Sequence, residues 1–241
     1  MLKGISAAAT GMLPQLKKQE AIANNLANAG SAGFKRDRVF VEQLARAQAG
    51  AQAADWQVPQ RIGLAIDFAS GSMDRTDNPY DLAIAGDGFF VINTPQGPQY
   101  TRNGHFTVNP EGVLTTMDGN PVMGEDGVIT LPPGSVEVGA SGTVAVEGQA
   151  IGKLRVVQFA DTSSLVRSGS GMFSIGAPGV QPRPDTASSI RQGFLESSNV
   201  NVIQEMVEMI STFRLYEADQ KAIHAQDDLL GRVVNDLGRV R

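Results

Sequence analysis

Residues 82–92 read LAIAGDGFFVI, and the reading of this stretch decides the fold. Two apolar runs, Leu82–Ala85 and Phe89–Ile92, flank Gly86-Asp87-Gly88. Runs of four residues are too short for an ordinary helix and suit a strand, and Asp-Gly favours a tight turn. The same punctuated pattern continues outward through Val113–Leu114, Val128–Leu131, Val136–Val138, Val144–Val146 and Leu154–Phe159. Between them stand Asn103-Gly104, Glu111-Gly112, Asp118-Gly119 and Asp126-Gly127. Short strands at this spacing predict an antiparallel all-β domain over residues 80–176, without crossover helices. Gly86-Asp87-Gly88 opens like a dinucleotide fingerprint, but Val91 stands where a third glycine belongs and no helix follows.

Beyond this domain the period changes. From Leu2, positions 2, 5, 9, 12, 16, 19, 23 and 26 alternate steps of three and four and hold Leu, Ile, Ala, Met, Leu, Gln, Ala and Leu. This is a heptad seam, interrupted by Pro14 and closed by Asn28 and Gly30. At the other end, Met206, Met209, Phe213, Tyr216, Gln220, Ile223, Asp227, Leu230, Val234 and Leu237 form a second seam, with Ser198 or Asn199 as its cap. The expected class is therefore α+β: an antiparallel all-β central domain whose N- and C-terminal helices pair as a coiled coil. The boundaries read as an N-terminal helix over 1–35, an extended connector over 36–79, the β domain over 80–176, a return connector over 177–194 and a C-terminal helix over 195–241. Secondary apolar positions (Ile22, Val207, Ile210 and Leu215) leave surface that two helices alone do not cover, which points to further subunits.

Composition narrows the function. The chain has 241 residues, no Cys, only two His (His105 and His224) and a net charge of −5. Zero Cys removes disulfides, thiolate metal sites and Cys nucleophiles, and the acidic balance argues against a nucleic-acid binder. No apolar run is long enough for membrane insertion. Lys3 and Gly4–Leu13 imitate a signal peptide poorly, with one basic residue and more Ala, Gly and Ser than Leu or Val, so no cleaved leader is expected. Asp74, Asp77 and Asp81 match no Ca²⁺ loop, and Asp87 with Asp118 or Glu111 is explained by turn roles. No active site, metal or cofactor is expected.

Three motifs carry a resemblance. Asn25-Leu26-Ala27-Asn28 followed by Gly33-Phe34-Lys35 resembles the N-terminal signature of bacterial flagellar rod and hook proteins. The 82–90 stretch with Tyr100-Thr101-Arg102-Asn103-Gly104 is similar to the opening of their β domain. Leu195-Glu196-Ser197-Ser198-Asn199-Val200-Asn201, with Glu205-Met206-Val207 after it, resembles their C-terminal signature. Length and connector resemble the proximal rod members first and the distal rod members next. Departures include Ala32 in place of a usual Thr before Gly33, and Phe213 in place of a commoner Gln.

The resemblance implies a structural subunit of the basal-body rod. Such a subunit is exported by the flagellar type III apparatus without a cleaved signal peptide and assembles helically in the periplasm to transmit torque from motor to hook. Its partners would be itself and other rod proteins. The candidate interface residues are Leu2, Ile5, Met12, Leu16, Asn24, Asn25, Leu26, Asn28, Met206, Met209, Ile210, Phe213, Tyr216, Ile223, Leu230, Val234 and Leu237. The alternative is a wall-acting, muramidase-like enzyme, for which a pair of carboxylates in a cleft is needed and not evident.

Overall fold

The computed structural model describes residues 2–43, 60–177 and 179–238, and side chains within 11–40, 63–177, 179–229 and 231–232. Helix α1 spans Leu2–Ala27 and α2 spans Val202–Gly238. Between them run β1 (Arg36–Gln43), β2 (Gln60–Asp67), β3 (Met73–Arg75), β4 (Leu82–Ala85), β5 (Phe89–Thr94) and β6 (Gly97–Thr101). They continue as β7 (Phe106–Val108), β8 (Leu114–Thr116), β9 (Val136–Val138), β10 (Thr143–Val146), β11 (Gln149–Lys153) and β12 (Val156–Gln158). A short 3-10 turn at Thr162–Ser164 precedes β13 (Leu165–Gly169), β14 (Met172–Ile175), β15 (Arg183–Pro184), β16 (Ser189–Gln192) and β17 (Phe194–Glu196). The class is α+β with antiparallel strand pairing, as the alternating periods predict.

The chain divides into two compact units. The β unit comprises Asn28–Arg36 and Phe68–Val200; the helical unit comprises Met1–Ala27, Asp37–Asp67 and Asn201–Arg241. Strands also form where composition suggested only connectors: β1 pairs with β2, β3 with β17, and β4 with β16. Extended connectors still carry backbone donors and acceptors, and inside a compact unit these must find partners.

The β unit is built around a six-stranded sheet ordered β13-β14-β6-β5-β12-β15. Successive strand residues point to opposite faces. Phe90 joins Leu82, Ile84, Ile92, Leu114 and Ile190 in the main core, meeting Phe106 edge-on at 5.2 Å. Phe89, on the other face, meets Phe68, Phe159 and Phe173 edge-on at 5.6, 5.7 and 6.2 Å. The run Phe89–Ile92 is continuous, not alternating, because both faces of β5 are covered.

The Asx-Gly pairs and Glu111-Gly112 divide by role. Gly112, Gly119 and Gly127 have the positive φ that such turns favour. Gly104 does not. Its Leu82 neighbour explains it: Gly104 accepts from the Leu82 N–H at 3.0 Å, and a Cβ at Gly104 would collide with the Leu82 carbonyl. Helix α2 is capped by Asn201, whose Oδ1 accepts from the Gln204 N–H at 3.1 Å. The expected caps do other work: Ser198 accepts from the Val200 N–H, and Asn199 Oδ1 accepts from the Arg36 N–H at 2.7 Å.

Candidate functional site: a helix surface and a junction of motifs

In the helical unit α1 and α2 pack against each other, with Asn25 beside Glu205 at 3.2 Å and Lys18 beside Glu208 at 3.5 Å. A Cβ on Gly11 would lie 3.8 Å from Asp219. Rising numbers on one helix meet falling numbers on the other, so the pair is antiparallel. The inward face is mixed: Ala21, Ile22, Asn25, Glu205 and Thr212 are buried. Asn25 is central to it. Its Nδ2 donates to the Asp37 carbonyl at 2.9 Å and to Glu205, and its Oδ1 accepts from the Asp37 N–H at 2.8 Å. The side chain therefore ties α1 to β1 and to α2 within one chain.

The outward face of α2 is apolar. Ile203 is 75% exposed, Ile210 56% and Phe213 47%, with Met206 and Val207 between them. Leu13 and Leu16 are exposed on α1. Met12, Leu26, Met209, Tyr216 and Ile223 are half-buried; the side chains of Leu2, Ile5, Leu230, Val234 and Leu237 lie outside the described residues. Asn24 Nδ2 donates to Asp37 Oδ2 at 2.7 Å, and the Asn28 carbonyl accepts from the Ser31 N–H at 3.0 Å as a helix stop.

This placement corrects the seam register. Leu16, Met206 and Phe213, expected to face the partner helix, are exposed, whereas Ile22, expected to be surplus surface, is buried. The cause is the Asn25–Asp37–Glu205 network. A buried amide must have its hydrogen bonds, so the face carrying Asn25 turns inward while Leu16, Met206 and Phe213 stay exposed. Gln220 and Asp227, which interrupt the second seam, are exposed.

Inside the β unit the three signature motifs meet. Lys35 Nζ lies 2.6 Å from Glu196 Oε1 and donates to the Ala69 carbonyl at 2.9 Å. The Gly71 N–H donates to the same Glu196 oxygen at 3.0 Å. Arg102 Nη1 stands 3.5 Å from Glu196 Oε2, an ion-pair distance without hydrogen-bond alignment, and its guanidinium lies 5.0 Å over the Phe89 ring. Lys35, Arg102 and Glu196 side chains are 0%, 1% and 1% exposed. Burial pulls the Arg102 pKa down from its ordinary value, against the opposing pull of Glu196, Asp87 and Asp185. Asp185 is desolvated, yet its pKa falls below the ordinary value because Ser188 and the Ala187 N–H hydrogen-bond it and Arg102 attracts it.

Backbone contacts complete the junction. The Gly33 N–H donates to the Glu196 carbonyl at 2.6 Å. Gly33 has φ +67°, and any side chain there would collide with the Arg102–Asn103 backbone. Arg167 donates to the Lys35 carbonyl at 2.6 Å and stacks over Phe34 at 4.4 Å. No sequence pattern assigned a role to Lys35, Arg102, Glu196 or Arg167. The available signal was the occurrence of the first three inside separate motifs.

The polar chemistry elsewhere is local. His105 Nδ1 sits 2.6 Å from the buried Asp81 carboxylate, joining a strand bridge. Among the described residues no three His, Cys, Asp or Glu side chains are grouped to hold a metal, and no helix is long and apolar enough to cross a membrane.

Comparison with known proteins matches the same three regions. Residues 5–35 match the family described as flagella basal body rod protein, residues 83–146 the flagellar hook protein FlgE/F/G D1 domain, and residues 191–237 the flagellar basal body rod FlgEFG protein C-terminal region. The flagellar basal-body rod protein FlgF of Caulobacter vibrioides is 35% identical over 229 residues, covering 93% of each chain. The flagellar basal-body rod protein FlgG of Borreliella burgdorferi is 33% identical over 270 residues, covering 99% of this chain and 100% of its own. That of Bacillus subtilis is 33% identical over 263 residues, covering 98% and 99%.

Proposed function

Given that the chain belongs to the flagellar basal-body rod protein family and is a structural subunit of the bacterial flagellum basal body, we propose that it assembles through the outward stripe of its terminal helices. The observation that carries this reading is the exposure of Ile203, Met206, Val207, Ile210 and Phe213 on one side of α2. Each such side chain removed from water contributes roughly 1.5–3 kcal/mol. Equivalent helices of neighbouring rod subunits are the occupants. A heterologous, non-closing contact of this kind generates a helical filament, not a closed ring.

In this reading the two helices continue as a coiled coil toward neighbours, with Met12, Met209, Tyr216 and Ile223 at its margin. Leu2, Ile5, Leu230, Val234 and Leu237 are further candidate interface residues of the terminal helices in this reading. Asn24 and Asn28 supply polar contacts at its base, and Asn25 acts within the subunit. Export by the flagellar type III apparatus, periplasmic assembly and transmission of torque to the hook follow from the same proposal. Catalysis has no part in it.

The test is the double substitution Ile210→Asp and Phe213→Asp. The isolated protein should keep its β-unit melting transition, and the chain should be absent from purified basal bodies, with motility lost. Normal incorporation of the variant would refute the packing role.

A further inference from the structure

We propose that Lys35, Arg102 and Glu196 form a two-key latch, in which the segment leaving α1 and the segment entering α2 dock onto the β unit only together. The inference does not depend on rod assembly, since every contact lies within the β unit of one chain.

The charges make docking mutual. Arg102 belongs to the body of the unit, just after β6, and is a buried cation with both segments in place. Docking residues 33–36 alone would bring the Lys35 ammonium into the same buried place. Two like charges would then share it without the carboxylate that stands 2.6 Å from Lys35. Docking residues 195–199 alone would bury Glu196 against Arg102 at 3.5 Å, without its closer cation. A buried pair that has lost one member is strongly penalised, so each half-docked state is disfavoured relative to both segments in and both segments out.

The backbone repeats this dependence. The Gly33 N–H needs the Glu196 carbonyl, the Asn199 N–H donates to the Phe34 carbonyl at 3.4 Å, and the Arg36 N–H needs Asn199 Oδ1. Each segment thus supplies hydrogen-bond partners that the other would lack. Residues 36 and 200 are two of the four points at which the chain passes between the β unit and the helical unit.

Native-state hydrogen exchange of the full-length protein under increasing denaturant tests the proposal. In the wild-type chain, residues 28–36 and 195–200 should open at one shared denaturant dependence, before β5 and β6. Lys35→Met should accelerate exchange in residues 195–200, on the far side of the junction, about 100-fold or more, with β5 and β6 unchanged. Glu196→Gln should do the same to residues 28–36. Acceleration confined to the substituted segment would overturn the latch. So would wild-type opening at two separate denaturant dependences, or opening only with β5 and β6. Should Glu196→Gln fail to fold, the wild-type measurement still decides.

Discussion

In β5 five of six side chains are buried and the exposed one is Asn93. In the opening turns of α2 the order is inverted: Ile203, Met206, Val207, Ile210 and Phe213 face solvent while Glu205 and Thr212 are buried. Both stretches are rich in apolar residues, so composition alone does not separate them. What separates them is the set of hydrogen bonds each must satisfy. Strand β5 has its backbone paired on both sides by β6 and β12, which frees its side chains to fill two faces. The α1–α2 contact instead has to house the Asn25 amide and its partners, which directs polar groups inward. The β5 side chains are thus covered within the chain, and those of the opening turns of α2 are left exposed.

Three substitutions probe the contrast, from the largest expected effect downward. Phe90→Ala removes a ring at the centre of the β core and should cost about 3–5 kcal/mol in urea denaturation of the isolated protein. A loss under about 1 kcal/mol would mean that the core is not where the unit's stability lies. Asn25→Ala removes two hydrogen bonds to the Asp37 backbone and one to Glu205, and should cost about 1–3 kcal/mol. The readout is the helical circular-dichroism transition; an unchanged transition would break the claim that a polar group sets the helix register. Ile210→Ser should change the stability of the isolated chain by no more than about 0.5 kcal/mol. A larger loss would show the stripe to be covered within the single chain.

Much of the fold is legible in periodicity. Helices and strands differ in the spacing of their apolar residues, and the Asx-Gly turns mark where strands end. The motifs likewise identified the family. The helix register was not legible, because a heptad count treats Leu16 and Ile22 as equivalent evidence and cannot see that Asn25 must reach the Asp37 backbone. The cap was misplaced by two residues for a related reason: Asn199 is an equally good cap by type, but its side chain is held by Arg36. The junction was not legible at all. Charged residues in a sequence read as solvated, and nothing local to Lys35 points to a carboxylate 161 residues away.

The pairing of β3 with β17 and of β4 with β16 also bears on how fast the chain can fold. These sheets join strands near the two ends of the β unit, and the contact between Gly71 and Glu196 closes 125 residues. In free energy the length is cheap, since doubling a loop costs only about 0.6 kcal/mol. In time it is not. Domains dominated by such distant pairings fold in roughly milliseconds to seconds, orders of magnitude slower than helical bundles. A newly made chain therefore spends a comparatively long interval before these distant strands have paired.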